Sequence, residues 1–137
     1  MYPPDLVAPM HKDLTDNGFQ GLQTVEAVDE FMNNMEGTAL VVVNSVCGCA
    51  AGNARPSIKM ALKHPKQPNR TTTVFAGFDN EAVNQVRSHT APYPPSSPCI
   101  ALFKDGNLVH FIERHHIEGR TPEMIAENLT GAYDEFC

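Results

Sequence analysis

The chain has 137 residues, is 42% hydrophobic and sets 10 basic against 16 acidic side chains, for a formal charge of −6. That size supports one globular domain over residues 1–137 with a core large enough to fold without staples. The acidic balance argues against a nucleic-acid surface and leaves no polybasic membrane patch, and no stretch approaches the ~20 apolar residues of a membrane span.

Met1-Tyr2-Pro3-Pro4-Asp5 lacks a basic segment followed by a long apolar one, so a cytoplasmic protein is expected. Residues 1–20 mix prolines with Leu6, Val7, Met10, Leu14 and Phe19, which suggests an irregular lead-in and a short packed helix. Thr24 is an N-cap, and Val25, Val28, Phe31, Met32 and Met35 follow at helical spacing until Gly37 offers a stop. Residues 39–43, Ala-Leu-Val-Val-Val, form a β-branched run bounded by Gly37 and Asn44, the pattern of a central strand covered on both faces.

Cys47-Gly48-Cys49 comes next, between that strand and a helix-like stretch over 50–64 with Ala54, Ile58, Ala61 and Leu62 on one face, Pro56 bending it and Pro65 ending it. Two thiols one residue apart can approach each other only where the backbone turns, and Gly48 makes a turn cheap. A helix start beside the sulfurs supplies partial positive charge and free N–H groups, which favour a thiolate. The pair reads as a redox site. Four cysteines are too few for a disulfide scaffold, and in a reducing compartment a close pair is more often catalytic or metal-binding than structural.

After a polar loop over 65–70, residues 71–76 read as a second buried strand, and Asp79 can cap a helix carrying Ala82, Val83 and Val86. Residues 90–98 hold enough proline to be rigid. They lead into an apolar run at 99–103, Lys104-Asp105-Gly106-Asn107, and a second run at 108–112; Asp-Gly between two such runs is a hairpin signal. Thr121 as N-cap, Pro122 and Glu123 then open a helix that runs to the C-terminus.

From Thr38 onward the order is β-α-β-α-β-β-α. It resembles the thioredoxin fold, an α/β three-layer architecture with a central mixed sheet between helices, here preceded by an N-terminal helical extension over residues 1–37. Ser97-Pro98-Cys99 followed by 100–106 looks like the element that carries that fold's cis-proline, which would make Pro98 the cis residue. The whole sequence resembles the bacilliredoxins, thioredoxin-like proteins with C-G-C in place of C-x-x-C. The cues are Met1-Tyr2-Pro3 with Leu6, Val7, Pro9 and Met10, Asn44-Ser45-Val46-Cys47-Gly48-Cys49-Ala50-Ala51-Gly52, Pro94-Pro95-Ser96-Ser97-Pro98, and Arg114-His115-His116-Ile117-Glu118-Gly119-Arg120.

That resemblance implies a thiol-disulfide oxidoreductase that removes bacillithiol, a low-molecular-weight thiol, from mixed disulfides on S-thiolated client proteins. Cys47 would be the nucleophile and Cys49 the resolving thiol. Gly48, Ser97 and Pro98 would form the substrate-binding backbone, with Ser97 and Pro98 offering an edge for strand addition. No tightly bound cofactor is implied; the small thiol is a co-substrate. A one-residue spacer makes a small, strained ring, and a couple more oxidising than thioredoxin's is expected. General disulfide isomerisation and a thioredoxin-like interaction module whose cysteines no longer turn over are the competing functions.

The strand before the cysteines carries Val41, Val42 and Val43 and no carboxylate, so no general base is assigned. Cys99 and Cys137 are candidate accessory thiols, with Cys99 read chiefly as core and Cys137 as mobile. His115 and His116 with Glu113, Arg114, Glu118 and Arg120 are read as a solvated connection suited to a partner's charges. Lys59 and Lys63 could meet a carboxylate-bearing thiol. A zinc or iron–sulfur role for the pair is disfavoured, because zinc sites use wider C-x₂₋₄-C pairs and no second pair completes a tetrahedron; no metal is expected.

Overall fold

The structure is a computed structural model that describes residues 2–137. Its centre is β2 (Thr38–Asn44), buried at every position. Side chains on a strand point alternately to opposite faces, so Ala39, Val41 and Val43 enter one apolar cluster while Leu40 and Val42 enter another. A run of Val and Leu is stable there because both faces are covered, and each such side chain contributes ~1.5–3 kcal/mol by leaving water.

The sheet has five strands in the order β1-β3-β2-β4-β5, with β1 (Gln20–Gly21), β3 (Arg70–Phe75), β4 (Cys99–Lys104) and β5 (Asn107–Ile112). β1 and β2 run parallel to β3, β4 runs antiparallel to β2, and β5 antiparallel to β4. On one face lie α2 (Val25–Asn33) and α4 (Asn80–Ser88), which bring Val28, Phe31, Met32, Ala82, Val83 and Val86. On the other lie α1 (Pro4–Thr15), α3 (Arg55–Ala61) and α6 (Pro122–Phe136), with Leu14, Ile58, Ala61, Ile125 and Leu129. Helices thus cover both sides of a mixed sheet, and the expected β-α-β-α-β-β-α order runs from Thr38 to the C-terminus.

The caps and turns follow their chemistry. Thr24 accepts from the Ala27 amide at 3.1 Å and Thr121 from the Met124 amide at 3.2 Å. Asp105 and Gly106 take positive φ values of 51° and 86°, which suits the tight turn between β4 and β5. Asp79 stands at the start of α4 but differs from expectation: its side chain caps no helix amide and instead accepts from the Phe75 amide at 3.2 Å, closing the turn after β3.

Three further elements depart from the sequence reading. Residues 20–21 form an edge strand inside the stretch read as a helical extension, and Leu22 continues the contact by donating to the Thr73 carbonyl at 2.9 Å. A two-residue strand is too short to show alternation. Residues 114–120, read as a solvated connection, contain the helical turn α5 (Arg114–Ile117), whose Ile117 is fully buried. After β2 the helical run starts at Gly48, passes through a π-helical turn at Ala50–Ala54 and ends as α3 at Ala61, short of the expected 64.

Candidate active site

Where β2 ends, the chain leaves the sheet through Asn44 and Ser45, both buried, and enters the helical run with Cys47 just before its first residue. Helical geometry brings Cα atoms two residues apart to roughly 5.4 Å, inside the range a disulfide requires. The Cys47 and Cys49 sulfurs lie 2.7 Å apart as a reduced pair sharing a hydrogen bond. Gly48 has no left-handed φ, and a Cβ added to it would meet nothing within 4 Å. The approach of the two sulfurs is therefore the work of the helical turn, and the glycine's conformational freedom is not what makes it.

The two thiols are driven apart electrostatically. Burial pushes Cys47 up, but hydrogen bonds from Cys49, from Ser45 and from the Ala50 and Cys49 amides outweigh it, and the net direction is down. The Ser45 hydroxyl sits 3.2 Å from the Cys47 sulfur. Cys49 moves up, first from burial, then from its bond to Cys47 and the charge there, with Arg114 opposing. Of the two sulfurs, the arrangement favours the thiolate at Cys47 and the proton at Cys49.

Cys47 opens onto a cleft of about 150 Å³ lined by Tyr2, Ser45, Val46, Ala76, Gly77, Ser97 and Arg114. The Tyr2 amide donates to the Gly77 carbonyl at 3.1 Å, and a Cβ on Gly77 would strike the Tyr2 ring, so the N-terminus forms one wall through a close backbone approach. Ser97 forms the other, and the Ser97–Pro98 bond is cis, as is Ala91–Pro92. Arg114 donates to the Ser97 carbonyl at 3.3 Å and pairs with Glu118 at 3.2 Å. Its guanidinium is pushed up, first by Glu118 and then by the charges of Cys49 and Cys47, and it lines the same cleft as Cys47.

The accessory thiols do not join this site. Cys99 is buried in the cluster on the α2/α4 face, where burial pushes the Cys99 thiol up to about 12, whereas Cys49 packs against the opposite cluster. Cys137 is exposed at the end of α6, where Asp134 contacts His64 and Lys66 beyond the far end of α3. The helical run from Gly48 to Ala61 separates that end from Cys47 by roughly 20 Å at 1.5 Å per residue. Lys59 is occupied by Asp13 at 2.8 Å, and Lys63 is exposed.

Glu113, His115 and His116 bring their ligand atoms within 4.8 Å of one another. Two of them cap α5: the Glu113 side chain accepts the His116 amide, and His116 Nδ1 accepts the Glu113 amide at 3.2 Å. Burial and then the neighbouring His115 push His116 down.

Sequence reading missed the shell behind Cys47. Arg55 is buried, with Nη1 donating to Asn44 Oδ1 and to the Ser45 carbonyl, both at 2.9 Å. Asn44 Oδ1 also accepts the Ser45 amide at 2.9 Å, and Asn44 Nδ2 donates to the Met10 carbonyl at 3.0 Å. The one available signal was that Arg55 precedes Ile58 by three residues and Leu62 by seven, which sets a cation on the apolar stripe of its helix.

Comparison with known proteins agrees with this architecture. The family model described as disulphide isomerase matches residues 2–137. A bacilliredoxin of Cytophaga hutchinsonii is 61% identical over 98% of this chain and 99% of its own length. Another, from Halalkalibacterium halodurans, is 52% identical over 99% of this chain and 94% of its own. Among solved structures, oxidised thioredoxin O2 of Arabidopsis thaliana superimposes with a TM-score of 0.55 at 16% identity, over 86% of this chain and 96% of that one, so the fold is that of thioredoxin.

Proposed function

This chain belongs to the bacilliredoxin family, and from that premise we propose that it strips a low-molecular-weight thiol, bacillithiol, from mixed disulfides on client proteins. The coarser activity, thiol-disulfide oxidoreduction, comes with the family and the fold. The observation that carries the finer reading is the split pair: a Cys47 sulfur open to a cleft and favoured as thiolate, with the Cys49 sulfur, favoured as thiol, 2.7 Å from it.

In the proposed reaction the Cys47 thiolate attacks the small thiol's sulfur in the client's mixed disulfide. A Cys47–small-thiol disulfide forms, and the client sulfur leaves as a thiolate that takes up a proton, for which the Cys49 thiol is the nearest donor in the pair. The Cys49 thiolate so produced can attack Cys47, releasing the small thiol and leaving a Cys47–Cys49 disulfide. Alternatively, a second small thiol resolves the adduct. Ionisation of Cys47 rests on hydroxyl, thiol and amide donors, and β2 carries no carboxylate to accept the proton of Cys49. The backbone at Ser97 and Pro98 supports client docking as an added strand, and the open space at Gly48 leaves room beside the sulfurs.

A Cys49→Ser variant exposed to a client protein carrying the small-thiol adduct, then weighed intact, tests this. The adduct should move to Cys47. An adduct that stays on the client, or moves to Cys99 or Cys137, overturns it. The family description as a disulphide isomerase favours a second reading, reshuffling of protein disulfides by the same pair. Recovery of activity from a scrambled protein substrate without any small thiol would select it.

A further inference from the structure

Arg55 carries a guanidinium 5% exposed at the start of α3, whose other buried residues are Ser57, Ile58 and Ala61. Taking such a charge out of water is costly, and an apolar side chain would satisfy the packing at least as well. Compensation is incomplete: among the described residues the carboxylate paired with it is Asp13, a third exposed, with Oδ2 at 3.4 Å from an Nε that lacks a hydrogen-bond partner. Asp13 is also shared with Lys59.

What the guanidinium does hold is the backbone behind Cys47. One nitrogen, Nη1, is bonded to both Asn44 Oδ1 and the Ser45 carbonyl. Asn44 Oδ1 in turn receives the Ser45 amide. Ser45 is thereby fixed on both sides of its Cα, and its hydroxyl is the group beside the Cys47 sulfur. The Asn44 amide group bonds the Met10 carbonyl of α1, and Asp13 of α1 pairs with the guanidinium, so the N-terminal helix is tied to the same cluster.

We propose that Arg55 is the positioning residue of the redox site: it aims the Ser45 hydroxyl at Cys47 and supplies the buried positive charge that the thiolate faces, with Asp13 of α1 setting how much of that charge is felt. The inference rests on the reading of Cys47 as the nucleophile. Other charged and titratable groups face Cys47 as well, Cys49 within the pair and Arg114 of α5 across the cleft. Neither is hydrogen-bonded to Ser45 or Asn44 among the described residues.

The test uses the full-length chain carrying Cys49→Ser and Cys137→Ser, so that alkylation by iodoacetamide reports on Cys47 while Cys99 stays buried. Rate against pH is measured for this parent and for Arg55→Met, Arg55→Lys and Asp13→Asn, with circular dichroism confirming the fold. Arg55→Met should raise the midpoint by about one pH unit, which lowers the rate by about tenfold at pH values well below it, and Arg55→Lys should recover part of the shift. Asp13→Asn should move the midpoint the other way, because it removes the anion that offsets the guanidinium. Loosening of the site alone would shift both in the same direction.

An unshifted profile in a folded Arg55→Met, or a midpoint raised or unchanged in Asp13→Asn, overturns the proposal. If Arg55→Met does not fold, Asp13→Asn decides alone. Alkylation needs no client, so a failed shift leaves the functional reading standing, and failed adduct transfer with the expected shifts leaves Arg55 standing.

Discussion

Cys47 and Cys99 stand near the ends of neighbouring strands. Val43 of β2 is paired with Cys99 of β4, and Cys47 follows Val43 by four residues, yet the two thiols have opposite characters. Cys47 has left the sheet, and burial at its sulfur is outweighed by donors from Ser45, Cys49 and two amides. Cys99 remains within the sheet, where its side chain faces apolar neighbours such as Ala101 and Val86 and burial dominates. Proximity along the sheet says little about thiol chemistry. The number of donors at the sulfur decides it.

The sharpest way to break this contrast is substitution. Cys47→Ser should reduce adduct transfer by ~10³-fold or more, while Cys99→Ala should keep it within about twofold, because a thiolate is the attacking species and Cys99 holds its proton. Equal loss in both variants, measured by intact mass, would return Cys99 to the site. Next in size is Ser45→Ala, which removes one donor to the thiolate and should slow alkylation of Cys47 at pH 7 by roughly three- to tenfold.

The third difference is in pH dependence. For Cys99 the folded value is raised, so below the ordinary 9.0 its titration costs the fold nothing, and from there toward about 12 the unfolded chain releases a proton that the fold keeps. Stability should fall over that window at up to about 1.4 kcal/mol per pH unit, and Cys99→Ala should remove that slope in chemical denaturation run from pH 8 to 11. Cys47 has the reverse sign. Its folded value is lowered, so its contribution is complete above 9.0 and is lost as pH falls through the folded value. The smallest effect concerns Gly48: with ordinary φ and open space around it, Gly48→Ala should leave Tm unchanged or raise it, by up to about 1 kcal/mol of stability. A marked loss would show that the turn does require glycine.

Much of this fold is legible in the sequence because its signals are local. The 39–43 run announces a buried strand, Thr24 and Thr121 announce helix starts through bonds three residues ahead, and Asp105-Gly106 announces its turn through the φ values such residues tolerate. The Cys47-Gly48-Cys49 motif marks the pair, and family resemblance ranks the two sulfurs. Less visible are elements whose stability comes from elsewhere in the chain. β1 spans two residues and exists because β3 lies beside it, and α5 is four residues held by its own cap and by Ile117 in the core.

Sequence by itself therefore determined the order of the main elements, the position of the cysteine pair and the family. Tertiary structure alone decided which donors and charges meet each thiol. It turned Cys99 to the far side of the sheet, carried Cys137 to the far end of α6, and gathered Asp13, Asn44, Ser45 and Arg55 behind Cys47. The physical reason is range. Periodicity, caps and turns are set within a few residues, whereas the charge and hydrogen bonds at a sulfur come from α1, β2, the loop after it and α3, which no local pattern joins.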